Sequence, residues 1–525
     1  MSTIRTESQS QPAANLTVTR IGAPVSILVI GGIVLVAAAL RLLNLGTHGL
    51  WTDEFYSLDI ARRGFAGIWE TSRIDWHPPL FYWILSAVLE WLPATVENIR
   101  LAPAILGVAA TALIGVYLTR RYGTIAGISG TLFLGLSTVQ VYYAHEARSY
   151  TLSVVAVVLS LLAMDGFERV QNWRNTVLLA VAFIVCLYSN YVLGFVVGAQ
   201  LLYLFLRVQG AGRAKLMTIL GLVIFAGLML VPNALKSLTV WSEFNRNDSG
   251  GRVVELRSAL STMLIGDERY INRPSRYLVT GAWLFLALVG IFVQRWKSIV
   301  YALPIAVLGL IMFVVLPTLG MKVPAYQDKQ FVAFAPLAWA LAATGVAWLW
   351  SRKQRYMRAA ILAGWAIWCA IALAGYWGYA TRLGDSLELQ VTNFLADAVD
   401  DDETILVAGA PGASGALRYY QPQQPYLFLV KTPDDGQPLW IDGESHELMS
   451  LQSEEQRCAV GRAANSAARW FVTFADNPST EQVLTWLGAD AHLPPTQIVG
   501  YYHLFHLPAG NARNFDVYCL ESRVS

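Results

Sequence analysis

The chain is short of charge. Asp, Glu, Lys and Arg supply only 14% of its 525 residues, while 55% are hydrophobic. An ordinary soluble protein carries roughly 25% charged residues. That excludes a soluble globule and implies a polytopic membrane protein. Histidine is scarce as well, and the seven present show no HExxH or other ligand spacing. Net charge is +2, with no basic patch bearing interleaved aromatics, so nucleic acid is not an expected partner. There is no internal repeat, no low-complexity tract and no Gly-rich nucleotide fingerprint. The Gly-rich "PGASG" (411–415) matches no phosphate loop and reads as a plain turn. Of four cysteines, Cys186 and Cys369 lie in apolar runs and read as packing residues. Cys458 and Cys519 fall in the polar C-terminal region, where a disulfide is open to them if that region faces an oxidising compartment.

What the chain has is apolar length. After a polar, Ser/Thr/Gln-rich tail over residues 1–22, read as disordered and cytoplasmic, the first apolar run covers 24–43. It exceeds the about 7–15 residues of a signal-peptide core and reads as an uncleaved span. Further runs lie near 100–119, 124–142, 150–166, 175–189, 191–207, 215–235, 276–293, 298–317, 330–350 and 358–379, about eleven in all. Leu80 to Leu92 is about a dozen residues with Glu90 inside, which suits an interfacial or re-entrant helix better than a span. Trp (18) and Tyr (23) are abundant, as suits side chains at membrane interfaces.

Charge placement orients these runs. With the N-terminus inside and 80–92 not spanning, Arg120-Arg121, Arg169 with Arg174, Arg207 with Arg213 and Lys215, Arg295 with Lys297, and Arg352 to Arg358 all fall inside. The expected architecture is a polytopic α-helical protein with about eleven spans and juxtamembrane helices over 23–380, including a first outer loop at 44–99. A small extracytoplasmic α/β domain follows over 381–525. In that domain 404–410, 468–476, 497–508 and 514–522 read as strands and 479–489 as a helix.

The outer face collects the chemistry. Asp53, Glu54, Asp75, His77, Glu146, Arg148, Asn190, Lys322, Asp328 and Lys329 come to it from five separate places in the chain. Ionisable groups at span ends facing one side point to a site. For Asp53-Glu54 a plainer reading stays open: Thr52 or Asp53 caps a helix with an acidic first turn. The segment 58–70 spaces Leu58, Ile60, Ala61, Phe65, Ile68 and Trp69 for one face of a surface helix. Pro78 and Pro79 then lead into the short helix at 80–92. Lys322 and Lys329 on the outer side run against the charge rule, which favours an anionic partner such as a phosphate. Glu146 and Arg148 equally suit a mutual or solvent pairing, and His145 an interface position.

"WTDEFYSLDIARRG" with "DWHPPLFYW", then "YYAHEARSYTL", then "KVPAYQDKQFVAFAPLAWAL" resembles the GT-C membrane glycosyltransferases. Within them the likeness is to bacterial relatives of protein O-mannosyltransferases and of the lipid A aminoarabinose transferase. It runs over about 24–350 and is best in 51–83 and 142–151. The chain departs in carrying His145 where many relatives carry Gln. The resemblance implies a polyprenyl-phosphate-sugar donor, an extracytoplasmic hydroxyl acceptor, and inverting transfer in the plasma (inner) membrane. It assigns Asp53 as general base, with Glu54 orienting it or binding acceptor. Glu146 would lie near the sugar, Arg148 or Lys329 would neutralise the leaving phosphate, and His77 would hydrogen-bond sugar or phosphate. Asp75, Tyr56, Asn190 and Asp328 are acceptor-side or supporting candidates. No cofactor is expected, and a divalent metal stays open. Two rivals are a flippase of lipid-linked glycan and a non-catalytic scaffold. A transporter calls for midplane ionisable residues and repeats, and a scaffold leaves the outer carboxylates unexplained.

Overall fold

The computed structural model describes residues 23–72, 77–247, 256–266, 271–318, 325–382 and 385–400. Beyond these it describes 404–408, 411–421, 423, 426–431, 439–442, 468–474, 484 and 492–507. Asp75, Lys322, Cys458, Cys519 and the expected strand at 514–522 lie outside them, as does all but residue 484 of the expected helix at 479–489.

The chain is an integral membrane protein built of helices. α1 (Ala23–Leu42) leaves Ile27, Leu28 and Leu35 at least 70% exposed. Such a surface suits lipid, not water. Among the described residues seven segments are long and apolar enough to cross a bilayer. They are Pro24–Leu42, Val96–Tyr122, Tyr150–Arg169, Ala211–Leu235, Arg273–Thr318, Lys329–Ser351 and Arg355–Thr381. The helices in order are α2 (Thr52–Ala61), α3 (Gly64–Thr71), α4 (Leu80–Trp91), α5 (Val96–Tyr122), α6 (Thr124–Leu136), α7 (Thr138–Tyr142) and α8 (Tyr150–Arg169). Then follow α9 (Trp173–Ser189), α10 (Gly194–Arg207), α11 (Ala211–Asn247), α12 (Leu256–Leu264), α13 (Arg273–Gln294) and α14 (Ile299–Leu310). A π-turn at Ile311–Val315 joins α14 to α15 (Leu316–Thr318), and α16 (Ala335–Ser351) and α17 (Arg355–Arg382) close the series.

α6 and α7 would make an eighth span, bent by 58°. The bend is held by the Ser137 hydroxyl and by the Val139 N–H that the broken ladder frees. Ser137 Oγ donates to Leu264 O at 2.8 Å, and Val139 N donates to Ile265 O at 3.2 Å. The C-terminal end of α12 thus satisfies what lipid cannot. α13 and α14 part at Arg295, where φ is 50°.

α16 is buried nearly all round, which marks it as the central helix of the bundle. Trp339 packs against Phe133 and Trp368 at ring distances of 4.8 and 4.9 Å. α16 crosses α13 backbone to backbone. A Cβ on Gly290 would stand 2.1 Å from Leu341 O, and one on Gly345 would stand 2.2 Å from Leu286 O. Only glycine permits that approach.

The far end of the bundle is tied by charge. Arg121 meets Asp165 at 3.1 Å and Glu168 at 3.6 Å, and Lys297 meets Glu168 at 2.5 Å. Tyr203 donates to Glu168 at 2.7 Å. This network joins the ends of α5, α8 and α10 to the turn between α13 and α14.

At the other end α2, α3 and α4 lie over the bundle. The expected single amphipathic helix over 58–70 is two helices instead. The chain breaks at Arg62-Arg63, and Gly64 takes φ 68°. Leu58, Ile60, Ala61 and Ile68 are buried, whereas Phe65 is exposed. α4 has 12 residues, the short length read from the sequence.

After α17 come α18 (Leu387–Ala398), β1 (Thr404–Ala408), α19 (Pro411–Tyr420), β2 (Tyr426–Lys431), β3 (Leu439–Asp442), β4 (Ala468–Phe474), β5 (Gln497–Val499) and β6 (Tyr502–His506). The sheet order is β3-β2-β1-β4-β6-β5. β1 pairs in parallel with β2 and β4, and the other pairs are antiparallel. Val391, Leu395 and Leu417 from the two helices pack on Ile405, Val407 and Val472. Two expectations fail here. "PGASG" is the first turn of α19, not a plain turn. The strand expected at 497–508 is a hairpin, because Gly500 turns the chain at φ 59°.

Candidate active site

The two carboxylates of "WTDEFYS" part company. Both stand in the first turn of α2, at successive positions about 100° apart around a helix. Glu54 turns inward and is fully buried. Its Oε1 accepts from Arg100 Nε at 2.8 Å and from Ala147 N at 3.0 Å. Its Oε2 accepts from Arg100 Nη2 at 2.6 Å and from Trp51 N at 3.3 Å. Arg100 is saturated in turn, donating to the backbone oxygens of Leu45, His48 and Gly49. Glu54 therefore locks α2 to α5 and to the turn before α8. The expected cap is corrected as well. Trp51 holds the N-cap position, and Thr52 sends its hydroxyl to Glu388 at 2.6 Å.

Asp53 points the other way, and its side chain keeps 26% exposure. Lys329 Nζ stands 3.6 Å from its Oδ2 and Arg148 Nε 3.8 Å. Lys329 comes from the 3-10 run Ala325–Phe334 ahead of α16, and Arg148 from the turn between α7 and α8. Arg148 also donates to Asp53 O and to Ser57 Oγ, each at 3.3 Å. Its Nη2 lies 3.2 Å from His77 Nδ1. Arginine cannot accept, so His77 accepts through Nδ1 and holds its ring proton on Nε2. Lys329 further lies 5.8 Å from the centre of the Tyr150 ring. One acid between two fixed cations leaves a local excess of one positive charge.

Glu146 is buried beside this group, and its Oε2 has no hydrogen-bond partner. Burial pushes its pKa up to about 8. A bond from the Tyr142 hydroxyl and the charge of Lys329 oppose the rise, while Glu54 and Asp53 add to it. Burial thus favours the protonated carboxyl, which does not cancel the cations.

Other candidates fall elsewhere. Asn190 caps the 3-10 turn Tyr191–Leu193, accepting from Val192 N at 3.2 Å. Tyr56 is half-buried on α2, one turn after Asp53. Asp328 precedes Lys329 in the same 3-10 run, and its side chain lies outside the described residues. His145 is buried between Tyr379 OH at 3.0 Å and Arg41 O at 3.1 Å, inside the bundle end. Two residues that sequence reasoning passed over matter most. Arg100 had a signal, being a cation at the start of an apolar run. Glu388 had none, since its partner is 336 residues away.

Residues 76–235 match the family described as dolichyl-phosphate-mannose-protein mannosyltransferase. That match includes His77, Glu146 and Arg148 but neither Asp53 nor Lys329. No curated protein sequence matches the chain. Among solved structures, the apo state of ArnT from Cupriavidus metallidurans aligns at a TM-score of 0.53 and 15% identity, covering 93% of this chain and 98% of that one. ArnT bound to undecaprenyl phosphate aligns at 0.52 and 13%, covering 93% and 99%. These likenesses are of fold, the GT-C fold of membrane glycosyltransferases.

Proposed function

We propose that this chain is an inverting glycosyltransferase of the inner membrane that moves a sugar from a polyprenyl phosphate to an extracytoplasmic hydroxyl. One observation carries the reading: the Asp53 carboxylate stands between Lys329 and Arg148, at 3.6 and 3.8 Å. A polyprenyl-phosphate sugar is a phosphodiester with one negative charge, which matches the local excess. The acceptor hydroxyl gives its proton to Asp53 as its oxygen bonds to the anomeric carbon. The bond from that carbon to the phosphate oxygen breaks, and the electron pair leaves with the phosphate. The phosphate gains a second negative charge, which Lys329 and Arg148 stabilise as it develops. A single displacement inverts the anomeric carbon. No metal or cofactor enters this scheme, since two side-chain cations supply the charge. The matched family and the ArnT complex support a lipid phosphate as the donor.

The same reading sets the chain in the membrane with eleven crossings. Each apolar run of the sequence coincides with a helix or, at 124–142, with the bent pair α6 and α7, and α13 with α14 counts as two. Their 46 residues would reach roughly 69 Å as one helix, more than twice a hydrocarbon core of about 30 Å. The Arg121–Asp165–Lys297 end faces the cytoplasm with the N-terminus. α2, Asp53 and the α/β domain face outward. The test is label transfer from radiolabelled polyprenyl-phosphate sugars to total envelope acceptors. Wild type should give a labelled product that Asp53→Asn forms about 10²–10⁴-fold more slowly. Absence of any labelled product with every sugar tried would remove the reading.

A further inference from the structure

The helix that carries Asp53 meets only part of its own start: Trp51 N donates to Glu54 Oε2 at 3.3 Å and Glu54 N to Trp51 O at 2.8 Å. Trp51 occupies the N-cap position in extended backbone, at φ −111° and ψ 171°. An indole is a donor only, so the side chain at that position offers Thr52 N no acceptor. The acceptor comes from the C-terminal domain. Glu388 Oε1 receives Thr52 N at 3.3 Å and Thr52 Oγ1 at 2.6 Å. The same oxygen receives Tyr502 OH at 3.1 Å and Tyr501 OH at 3.3 Å. Glu388 is 1% exposed. A buried carboxylate at a helix start is favoured by the orphan N–H groups and the aligned peptide dipoles.

The domain grips α2 at three more levels. Leu50 N donates to Tyr420 OH, and Ser386 Oγ donates to Leu50 O, both at 2.8 Å. Phe55 meets Tyr419 and Tyr420 edge-on, at ring distances of 6.0 and 6.1 Å. Gly415 lies against it so closely that a Cβ there would stand 2.8 Å from Phe55 Cβ. At the last turn Arg418 pairs with Asp59.

We propose that Glu388 is a positioning residue for transfer: the C-terminal domain mounts α2 and so sets where the Asp53 carboxylate stands. This rests on Asp53 being the base. α2 has ten residues, fewer than the about 12–15 an isolated helix needs in water. Its position is therefore imposed by its neighbours. The bundle holds one side through Glu54 and Arg100, and the domain holds the start through Glu388. Asp53 follows Thr52 directly, so a shift of the Thr52 backbone carries Asp53 with it. Lys329 and Arg148 stand on other elements and keep their places.

The experiment uses the full chain with Glu388→Ala, Glu388→Gln and Thr52→Val, each alone and combined with Asp53→Asn. Transfer is followed from radiolabelled polyprenyl-phosphate sugars to total envelope acceptors. A misplacement of about 1 Å costs on the order of 10²-fold. Glu388→Ala should lower kcat by about that factor and leave donor KM unchanged. Glu388→Gln keeps an acceptor oxygen and should recover most of the rate. On the Asp53→Asn background Glu388→Ala should add no further loss, because both act through one carboxylate. Amide exchange in α2 should also quicken in Glu388→Ala. Where Glu388→Ala does not accumulate, Thr52→Val removes the 2.6 Å hydroxyl bond while leaving the Glu388 carboxyl in place and should lower kcat in the same sense. The proposal is overturned, and Asp53 kept as base, if the two losses multiply, if only protein yield falls, or if Thr52→Val has normal kcat. Full activity of Asp53→Asn overturns both.

Discussion

The Glu54 carboxylate and the Arg100 guanidinium close on each other through two hydrogen bonds of 2.8 and 2.6 Å, with Glu54 fully buried. The adjacent Asp53 is left at the rim between two cations. One turn of helix thus aims one carboxylate into the fold and the other at the two cations. The five expectations below separate these tasks.

Asp53→Asn should lower turnover by about 10²–10⁴-fold, the usual worth of a general base. The amide keeps the shape and loses only the proton acceptor, so the melting temperature should stay near that of wild type. A variant with wild-type turnover would falsify the assignment.

Glu54→Gln acts on the fold. Removing one partner of a buried ion pair costs about 3–5 kcal/mol, because the Arg100 charge stays buried without its counter-ion. The variant should accumulate poorly and melt early. If it folds like wild type and has lost all transfer, Glu54 belongs to the chemistry instead.

Lys329→Ala and Arg148→Ala should weaken donor binding. A hydrogen bond to a charged group is worth about 1.5–3 kcal/mol, so donor KM should rise by about ten- to a hundredfold. Arg148→Ala should also free His77 and Ser57 from the bonds it donates. Equal donor KM in wild type and both variants would place the phosphate elsewhere.

Glu146 brings a pH dependence. Its pKa is about 8 in the fold against 4.5 for an ordinary glutamate, chiefly through burial. A raised carboxyl pKa contributes stability that is full below the unfolded value and is lost as pH rises through the folded one. Wild type should therefore lose stability from about pH 4.5 to about pH 8, relative to Glu146→Gln, and no further above that. Above pH 8 the ionised Glu146 also offsets the cations, so donor KM should climb in wild type and not in Glu146→Gln. Melting curves and KM read across pH 4–9 check both; a constant gap in melting temperature would sink the first.

Sidedness is the fifth. Reporters fused after Arg358 and after Arg382 should report opposite faces of the membrane. The same face for both would remove the eleven-crossing arrangement and with it the shared outer site.

How far the sequence foretold this depended on how local each cause was. Hydropathy placed the helices, since burial in lipid acts on every residue of a run. That Asp53, His77, Arg148 and Lys329 gather at one end of the bundle followed from charge placement, without any knowledge of packing. The break at Gly64 was missed because amphipathic spacing continued through it. The role of Glu54 was open because its partner, Arg100, looked like the edge of a span. Glu388 was out of reach, since nothing near it in the chain tells that it will meet Thr52. β2 and β3 were missed in a region where only neighbouring strands give the pattern meaning.

The crossing of α13 and α16 at Gly290 and Gly345 has a reach beyond its own place in the bundle. Lys329 stands on the 3-10 run that leads into α16, so the central helix is the stem on which that ammonium is carried. A methyl at either glycine would act as a wedge between two backbones already in contact. The stem would tilt as a rigid lever, and its tip would travel farther than the wedge is thick. The two glycines therefore govern the aim of a charge they never touch.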